Sequence, residues 1–351
     1  LKILAIYDHS GPKYHRILLP THLMSVEFTL TQKVTEDQVK DIDILFFNRL
    51  LAGTQIQMVL DWREKYGFSI VVDFDDHWYL GPDHFLYKAY KEHRVSEVME
   101  AWITEADAVF VTHERLFHDV FTLNQNVHIL PNAIPEFDQF LCKKIPSDFT
   151  RIFWAGGVTH KKDISLLKNP IKRIQTPAVQ FVMAGFVAKN PEWTAMASAF
   201  TCGGKFNHEI IEALPVDSYY FSYAKCDLAL IPLVETKFNS YKSNLKILEA
   251  ANISSPVVVS RVHPYLGFPE ELVNYVDRQG DWYSQVKKLL QAPGQAKYQG
   301  EKLREYCREN FNFERINQQR KQIFYDLRKQ KNLGDIPTLS YQPWREWAGL
   351  K

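Results

Sequence analysis

The chain has 351 residues, 46% hydrophobic and 24% charged, the make-up of a soluble globular protein with room for two domains and two cores. Its 42 Lys and Arg stand against 41 Asp and Glu, a formal net charge of +1, which gives no support to a strongly basic nucleic-acid binder and leaves a local basic patch open. No apolar run approaches the roughly 18–20 residues of a membrane span, and the opening "LKILAIYDHS" reads as a strand rather than a signal peptide, so the expected compartment is cytoplasmic, with peripheral membrane contact left open.

In chain order, "KILAIYD", "VEFTL", "DILFFN", "SIVVDFD", "AVFVT" and "VHILP" are short runs rich in β-branched and aromatic residues, each predicted as a strand. Helix-like stretches separate them, among them "TQIQMVLDWREKYG" and "YKAYKEHRVSEVMEAWITEA". Apolar strands alternating with helices mean a parallel sheet in an α/β domain. Residues 131–150 carry Pro131, Pro135 and Pro146 without a clean period and read as an interdomain linker. The alternation then restarts with "RIFWAGG", "VQFVMAGF", "CDLALIPLV", "SPVVVS" and "LVNYVD", and the tail from about residue 281 is helical and charged. The four cysteines, Cys142, Cys202, Cys226 and Cys307, have no zinc-ligand spacing and are expected to be reduced thiols, most of them packed inside.

Ligands of such folds bind at the C-terminal ends of the strands, so the segments that follow strands carry the candidate chemistry. After the first strand, "YDHSGPKYHRILLP" offers Gly11, which either lets a ligand approach backbone or simply turns the chain, with Tyr14, His15 and Arg16 beside it. After the fourth, "VVDFDDHWYL" crowds Asp73, Asp75, Asp76 and His77. Asp73-Phe-Asp75 could hold a divalent metal on a nucleotide diphosphate, a carboxylate could orient or deprotonate an acceptor, or all could be turn carboxylates. In "FWAGGVTHKKDISLL", Gly156 and Gly157 end a strand and a helix starts near Lys161 or Lys162, which is either a phosphate cradle with His160 and Lys162 as donors or a solvated turn. Asp163 could cap that helix or orient His160. Finally, "NSYKSNLKILEAANISSPVVVS" places Lys242, Lys246 and Glu249 on one face if the segment is helical, suited to a diphosphate and a ribose diol.

These residues resemble the retaining GT-B glycosyltransferases, in particular family-4-like enzymes. The likeness runs over about residues 100–260, through "EADAVFVTHERL", "VHILPNAI", "FWAGGVTHKKDISLL", "FVMAGF", "DSYYFSYAKCDLALIPL" and "KSNLKILEAANISSPVVVS". The resemblance implies two Rossmann-like domains facing a central cleft: an acceptor-side domain over 1–140, a nucleotide-sugar domain over 150–310, and a helix and tail over 311–351 packing back on the first. It implies transfer of a sugar from a nucleotide-diphosphate donor, UDP more than GDP, to a hydroxyl acceptor with retention. The acceptor classes are a glycan, a lipid-linked glycan or a modified nucleobase, and DNA contact stays open. No cofactor is required, and a divalent metal is not expected.

By the same resemblance, Glu249 binds the donor ribose, while Gly156, Gly157, His160, Lys162, Lys242, Ser243 and Lys246 hold the diphosphate. Asp75, Asp76 and Lys242 are the catalytic candidates, and Gly11, Tyr14, Arg16 and His77 lie on the acceptor side. The sequence departs from the family at three positions: Tyr241 stands where many relatives carry an acid, Gly157 where they carry an arginine, and Asp75 where a histidine is common. The rival readings are a DNA-base glycosyltransferase of the phage type, a metal-dependent single-domain GT-A enzyme using Asp73 and Asp75, a sugar-nucleotide epimerase, and a non-catalytic nucleotide-sugar-binding protein.

Overall fold

A computed structural model describes residues 1–332 other than 9, 52–54, 83, 137–141 and 175. The final stretch "PTLSYQPWREWAGLK" and the middle of the predicted linker lie outside the described residues. The chain divides into two compact units. The first contains residues 1–132, Tyr241–Ser243 and the segment from Phe313; the second contains 133–240 and 244–312.

In the first unit, six parallel strands run β1 (Lys2–Ile6), β2 (Glu27–Thr31), β3 (Ile44–Asn48), β4 (Ser69–Phe74), β5 (Ala108–Val111) and β6 (Val127–Ile129), in the order β2-β1-β3-β4-β5-β6. β3, β4 and β5 are buried along their whole length, as their unbroken apolar runs require of strands covered on both faces. The expected helix over "YKAYKEHRVSEVMEAWITEA" is two, Tyr87–Glu92 and Val95–Glu105, broken where Arg94 takes a left-handed φ of 52°. The helix Phe313–Asn332 lies on this sheet, with the Phe324 ring edge-on to Phe46 at 5.3 Å.

The second unit repeats the plan with β7 (Thr150–Ala155), β8 (Val179–Phe186), β9 (His208–Glu212), β10 (Leu228–Ile231), β11 (Val257–Ser260) and β12 (Asn274–Val276), in the order β12-β11-β10-β7-β8-β9. β9, "HEIIE", escapes a hydrophobicity reading because it is an edge strand whose residues are at most half-buried. In each sheet the strand order reverses once, beside β1 and β3 in the first and beside β7 and β10 in the second. Helices cover opposite faces on either side of such a reversal, which leaves an open crevice at the strands' C-terminal ends.

Close packing in the second unit depends on one helical glycine. A Cβ at Gly300, in the helix Pro293–Asn310, would overlap the carbonyl oxygen of Ser254. Gly300→Ala gains about 1 kcal/mol of helix propensity but incurs a steric cost of about 1–3 kcal/mol. Urea unfolding is expected to show the variant less stable than wild type; equal or greater stability would mean that the helix can move away from Ser254.

Candidate functional site

In the first unit, Pro20 cannot donate to the carbonyl of Arg16, and its ring crowds that oxygen. The chain answers with a π-helical turn over Tyr14–Leu18, in which the Leu19 N–H reaches back to the Tyr14 carbonyl. Arg16 is thereby turned inward and is 1% exposed. It donates from Nε to Asp73 Oδ1 at 2.9 Å, from Nη2 to Asp73 Oδ2 at 2.8 Å, and from Nη1 to the Leu130 carbonyl at 2.8 Å and Asn132 Oδ1 at 3.1 Å. Burial and the Arg16 charge push the neighbouring His15 down to about 4, so it is neutral at physiological pH. Tyr14 is buried as well, and Gly11 is exposed with nothing within 4 Å of a Cβ placed there. Of the four acceptor-side expectations, Tyr14 and Arg16 lie in the interior of the unit.

The carboxylates after β4 are committed too. Arg49, in a left-handed conformation (φ 65°) at the end of β3, donates from Nε and Nη2 to Asp75 at 2.8 and 2.9 Å, and from Nη2 to Asp76 at 2.7 Å. Asn48 bridges Asp73 and Asp75 at 3.2 and 3.0 Å. Burial pushes Asp75 up, but Arg49 and Asn48 outweigh it and bring it to about 2. Asp75 and Asp76, expected to act on the acceptor, therefore share one guanidinium as partner. In Asp73-Phe-Asp75, where a metal is one reading, each carboxylate faces a different arginine. Among the described residues no group of three or more His, Cys, Asp or Glu is placed to hold a metal ion.

His77 has both ring nitrogens in use. Nδ1 accepts from the Tyr79 N–H at 3.0 Å, so the proton sits on Nε2, which faces Asp119 Oδ2 at 3.2 Å. Its ring stacks on Trp78 at 4.5 Å and lies against Tyr241 at 4.3 Å. Tyr241 also bonds Asp119 through its hydroxyl, and its carbonyl accepts from His113 Nε2 at 2.9 Å. Asn132 donates to Ser243 Oγ at 2.8 Å. Tyr241–Ser243 thus belong to the framework of the first unit, and Lys242 lies on a connection, not on a helical face. The helix begins only at Leu245, after a single 3₁₀ turn at Asn239–Tyr241. The expected three-residue face is reduced to Lys246 and Glu249.

In the second unit, the residues after β7 and those of the helix Leu245–Asn252 come together. Gly185, next to last in β8, has φ 98° where the pairing with β9 shifts register, and a Cβ there would overlap the carbonyl oxygen of Gly156. A Cβ on Gly156 would in turn lie 2.9 Å from Lys246 Nζ and from the Trp154 ring. The Lys246 ammonium sits 5.3 Å from the centre of that ring. Gly157 is exposed, and a Cβ on it would meet nothing nearer than 3.9 Å. His160 lies 2.6 Å from Asp163 Oδ2 through Nδ1, and Asp163 Oδ1 accepts the Val234 N–H at 2.7 Å. This buried aspartate therefore ties the loop after β7 to the loop after β10, across the strand reversal. Lys162 is exposed on the helix Lys161–Ser165.

Glu249 is 9% exposed and accepts from two phenols, Tyr219 on Oε1 and Tyr223 on Oε2 at 2.6 Å. Burial raises its pKa, opposed by the two phenols and by Lys246. The phenols come from the 3₁₀ helix Tyr219–Lys225 and were not singled out in the sequence. Their only signal was the four-residue spacing in "DSYYFSYAK". Trp154, Gly185, Arg49, Asn48 and Asp119 were missed likewise. Gly156, Lys246 and Glu249, with His160 and Asp163, form a compact cationic and hydrogen-bonding corner where β7 and β10 part.

No protein-family model and no curated protein matches the chain. Solved structures do. Sucrose-phosphate synthase from Thermosynechococcus elongatus superposes with a TM-score of 0.66 at 13% identity over 93% of this chain and 98% of that one. HepE of Anabaena, in complex with UDP and glucose, gives 0.66 at 14% over 93% and 100%. An α-glucosyltransferase in complex with UDP and a 13-mer DNA containing an HMU base gives 0.64 at 13% over 92% and 99%. The two six-stranded parallel sheets with flanking helices are those of the GT-B fold of glycosyltransferases, and this chain has that fold.

Proposed function

We propose that the chain is a glycosyltransferase that moves a sugar from a UDP-sugar to a hydroxyl acceptor with retention of configuration. The observation that carries the reading is the corner formed by Gly156, Lys246 and Glu249 at the strand reversal of the second unit. Solved structures of the same fold carry UDP, as HepE does. In the reading, Lys246 and the backbone around Gly156 and Gly157 receive the diphosphate, with His160 held for the same task by Asp163. Glu249 receives the ribose hydroxyls. As the bond from the anomeric carbon to the diphosphate oxygen breaks, the leaving group takes the electron pair, and a preplaced ammonium stabilises the charge that develops. The acceptor oxygen then bonds to the same carbon from the side the diphosphate leaves, and its proton passes to the departing diphosphate oxygen. No helix among the described residues is long and apolar enough to cross a membrane.

Calorimetric titration of UDP, GDP and ADP without added metal tests the donor site. UDP is expected to bind best, and Lys246→Ala is expected to weaken it about 30-fold, the loss of one charge-assisted contact of about 2 kcal/mol. Gly156→Ala should weaken it in the same direction by displacing the ammonium. If no nucleotide binds, or if Lys246→Ala binds as well as wild type, the donor assignment is wrong.

A gain of binding is also expected. Gly157 has ordinary φ and open space around it, so Gly157→Arg should fold normally and bring a guanidinium to the edge of the corner. UDP should bind about tenfold tighter in the same titration, while uridine, which lacks phosphates, should bind unchanged. An equal effect on both ligands would place the new side chain away from the diphosphate.

A further inference from the structure

The second unit carries a strongly one-signed surface that the donor corner does not use. Helices covering a parallel sheet run antiparallel to its strands, so their C-terminal ends return to the strands' N-terminal edge. There the short helix Lys168–Lys172 packs between the helices Pro191–Phe200 and Asp281–Gln291. It forms a ridge with a groove on each side. The first groove, about 570 Å³, is lined by Lys168, Lys172 and Lys205 and by no carboxylate. The second, about 790 Å³, is lined by Arg173, Lys287 and Lys288 and by one acid, Asp281. That acid is itself engaged by Arg278, whose N–H donates to it at 3.1 Å.

All six cations are exposed, and among the described residues none takes part in an ion pair. The Arg173 guanidinium lies 4.0 Å above the Tyr283 ring, which fixes its plane and leaves its outer edge to meet an anion. In a chain whose formal net charge is +1, six unopposed cations on one side make a marked local field.

We infer that this face binds the phosphodiester backbone of a nucleic acid, independently of base sequence. One phosphate cannot engage cations set in two grooves on either side of a ridge, whereas a chain of regularly spaced phosphates can. Among the described residues, none of the large exposed apolar side chains lines either groove, so the face presents none to insert into a lipid bilayer. The grooves hold one tyrosine and one phenylalanine, too few to stack successive bases, which makes the contact electrostatic rather than base-reading. No residue of the donor corner lines either groove, so the face forms a docking surface separate from it. It does not rest on the glycosyltransferase reading.

The test is fluorescence anisotropy of a labelled oligonucleotide, single-stranded and as a duplex, across about 50 to about 200 mM salt. It compares wild type, Lys168→Glu/Lys172→Glu and Lys287→Glu/Lys288→Glu, with circular dichroism and urea unfolding as controls for folding. Wild type should bind with an affinity that falls steeply with salt. Each double variant should bind at least about tenfold more weakly at the lowest salt and with a log–log slope shallower by about 1.5, while its unfolding midpoint stays unchanged. No binding at the lowest salt, unchanged binding by both variants, or binding to phosphatidylglycerol vesicles in preference to the oligonucleotide would each overturn the inference.

Discussion

The corner at Gly156, Lys246 and Glu249 depends on one close approach of backbone to backbone. β7 and β8 run in register as far as Ala155 and Ala184, and the next residue of each is a glycine. Gly185 needs its left-handed φ to turn away, and without a Cβ it admits the Gly156 carbonyl into van der Waals contact. Gly156, equally bare, leaves the space that the Lys246 ammonium fills above Trp154. The position of the cation is therefore set by what two residues lack. Asp163 completes the arrangement by joining the loop after β7 to Val234 in the loop after β10, so both walls of the crevice share one buried anchor.

The two units handle buried carboxylates in opposite ways, and the difference decides which are free to meet a ligand. In the first unit, arginines meet Asp73 and Asp75 through paired contacts, and Asp76 through a single one. A carboxylate gripped by a guanidinium on both oxygens has little left to offer a hydroxyl, and removing it would strand a buried charge. In the second unit, Glu249 is held by two neutral phenols, one on each oxygen. Each oxygen keeps a second lone pair, and the Lys246 ammonium acts on the group through space. A carboxylate oriented by phenols instead of being gripped by a guanidinium on both oxygens keeps acceptor capacity for hydroxyl donors.

Most of the strand plan was legible because buried parallel strands leave unbroken apolar runs, and β7, β8, β10 and β11 all do. Gly156, Lys246 and Glu249 were legible because they follow such strands at helical spacing. The structure differs from the sequence reading where long-range partners decide. Arg49 lies 26 residues before Asp75, and nothing local says that the two meet. Lys242 looked helical because its spacing to Lys246 is four, yet Asn132 and His113, more than a hundred residues upstream, hold the connection around it in another conformation. Arg16 looked like a surface residue in a turn because the widening imposed by Pro20 is visible only once the turn is built.

Net charge is the other place where a sum hides the physics. A total of +1 reflects an even count of cations and anions, not an even distribution. Many exposed cations of this chain are neutralised locally: Lys161 by Glu192, Lys225 by Glu209, Arg261 by Glu270 and Asp277, and Lys302 by Glu305. The ridge at Lys168–Lys172 and its two grooves lack such partners. The negative ends of helix dipoles account for lysines in the last turn of a helix. They do not account for Lys205, which lies between elements, or for Arg173 held flat on an aromatic ring. A face that gathers cations from three separate segments around one carboxylate, Asp281, has a distribution that helix termini alone do not explain, and an extended anion does.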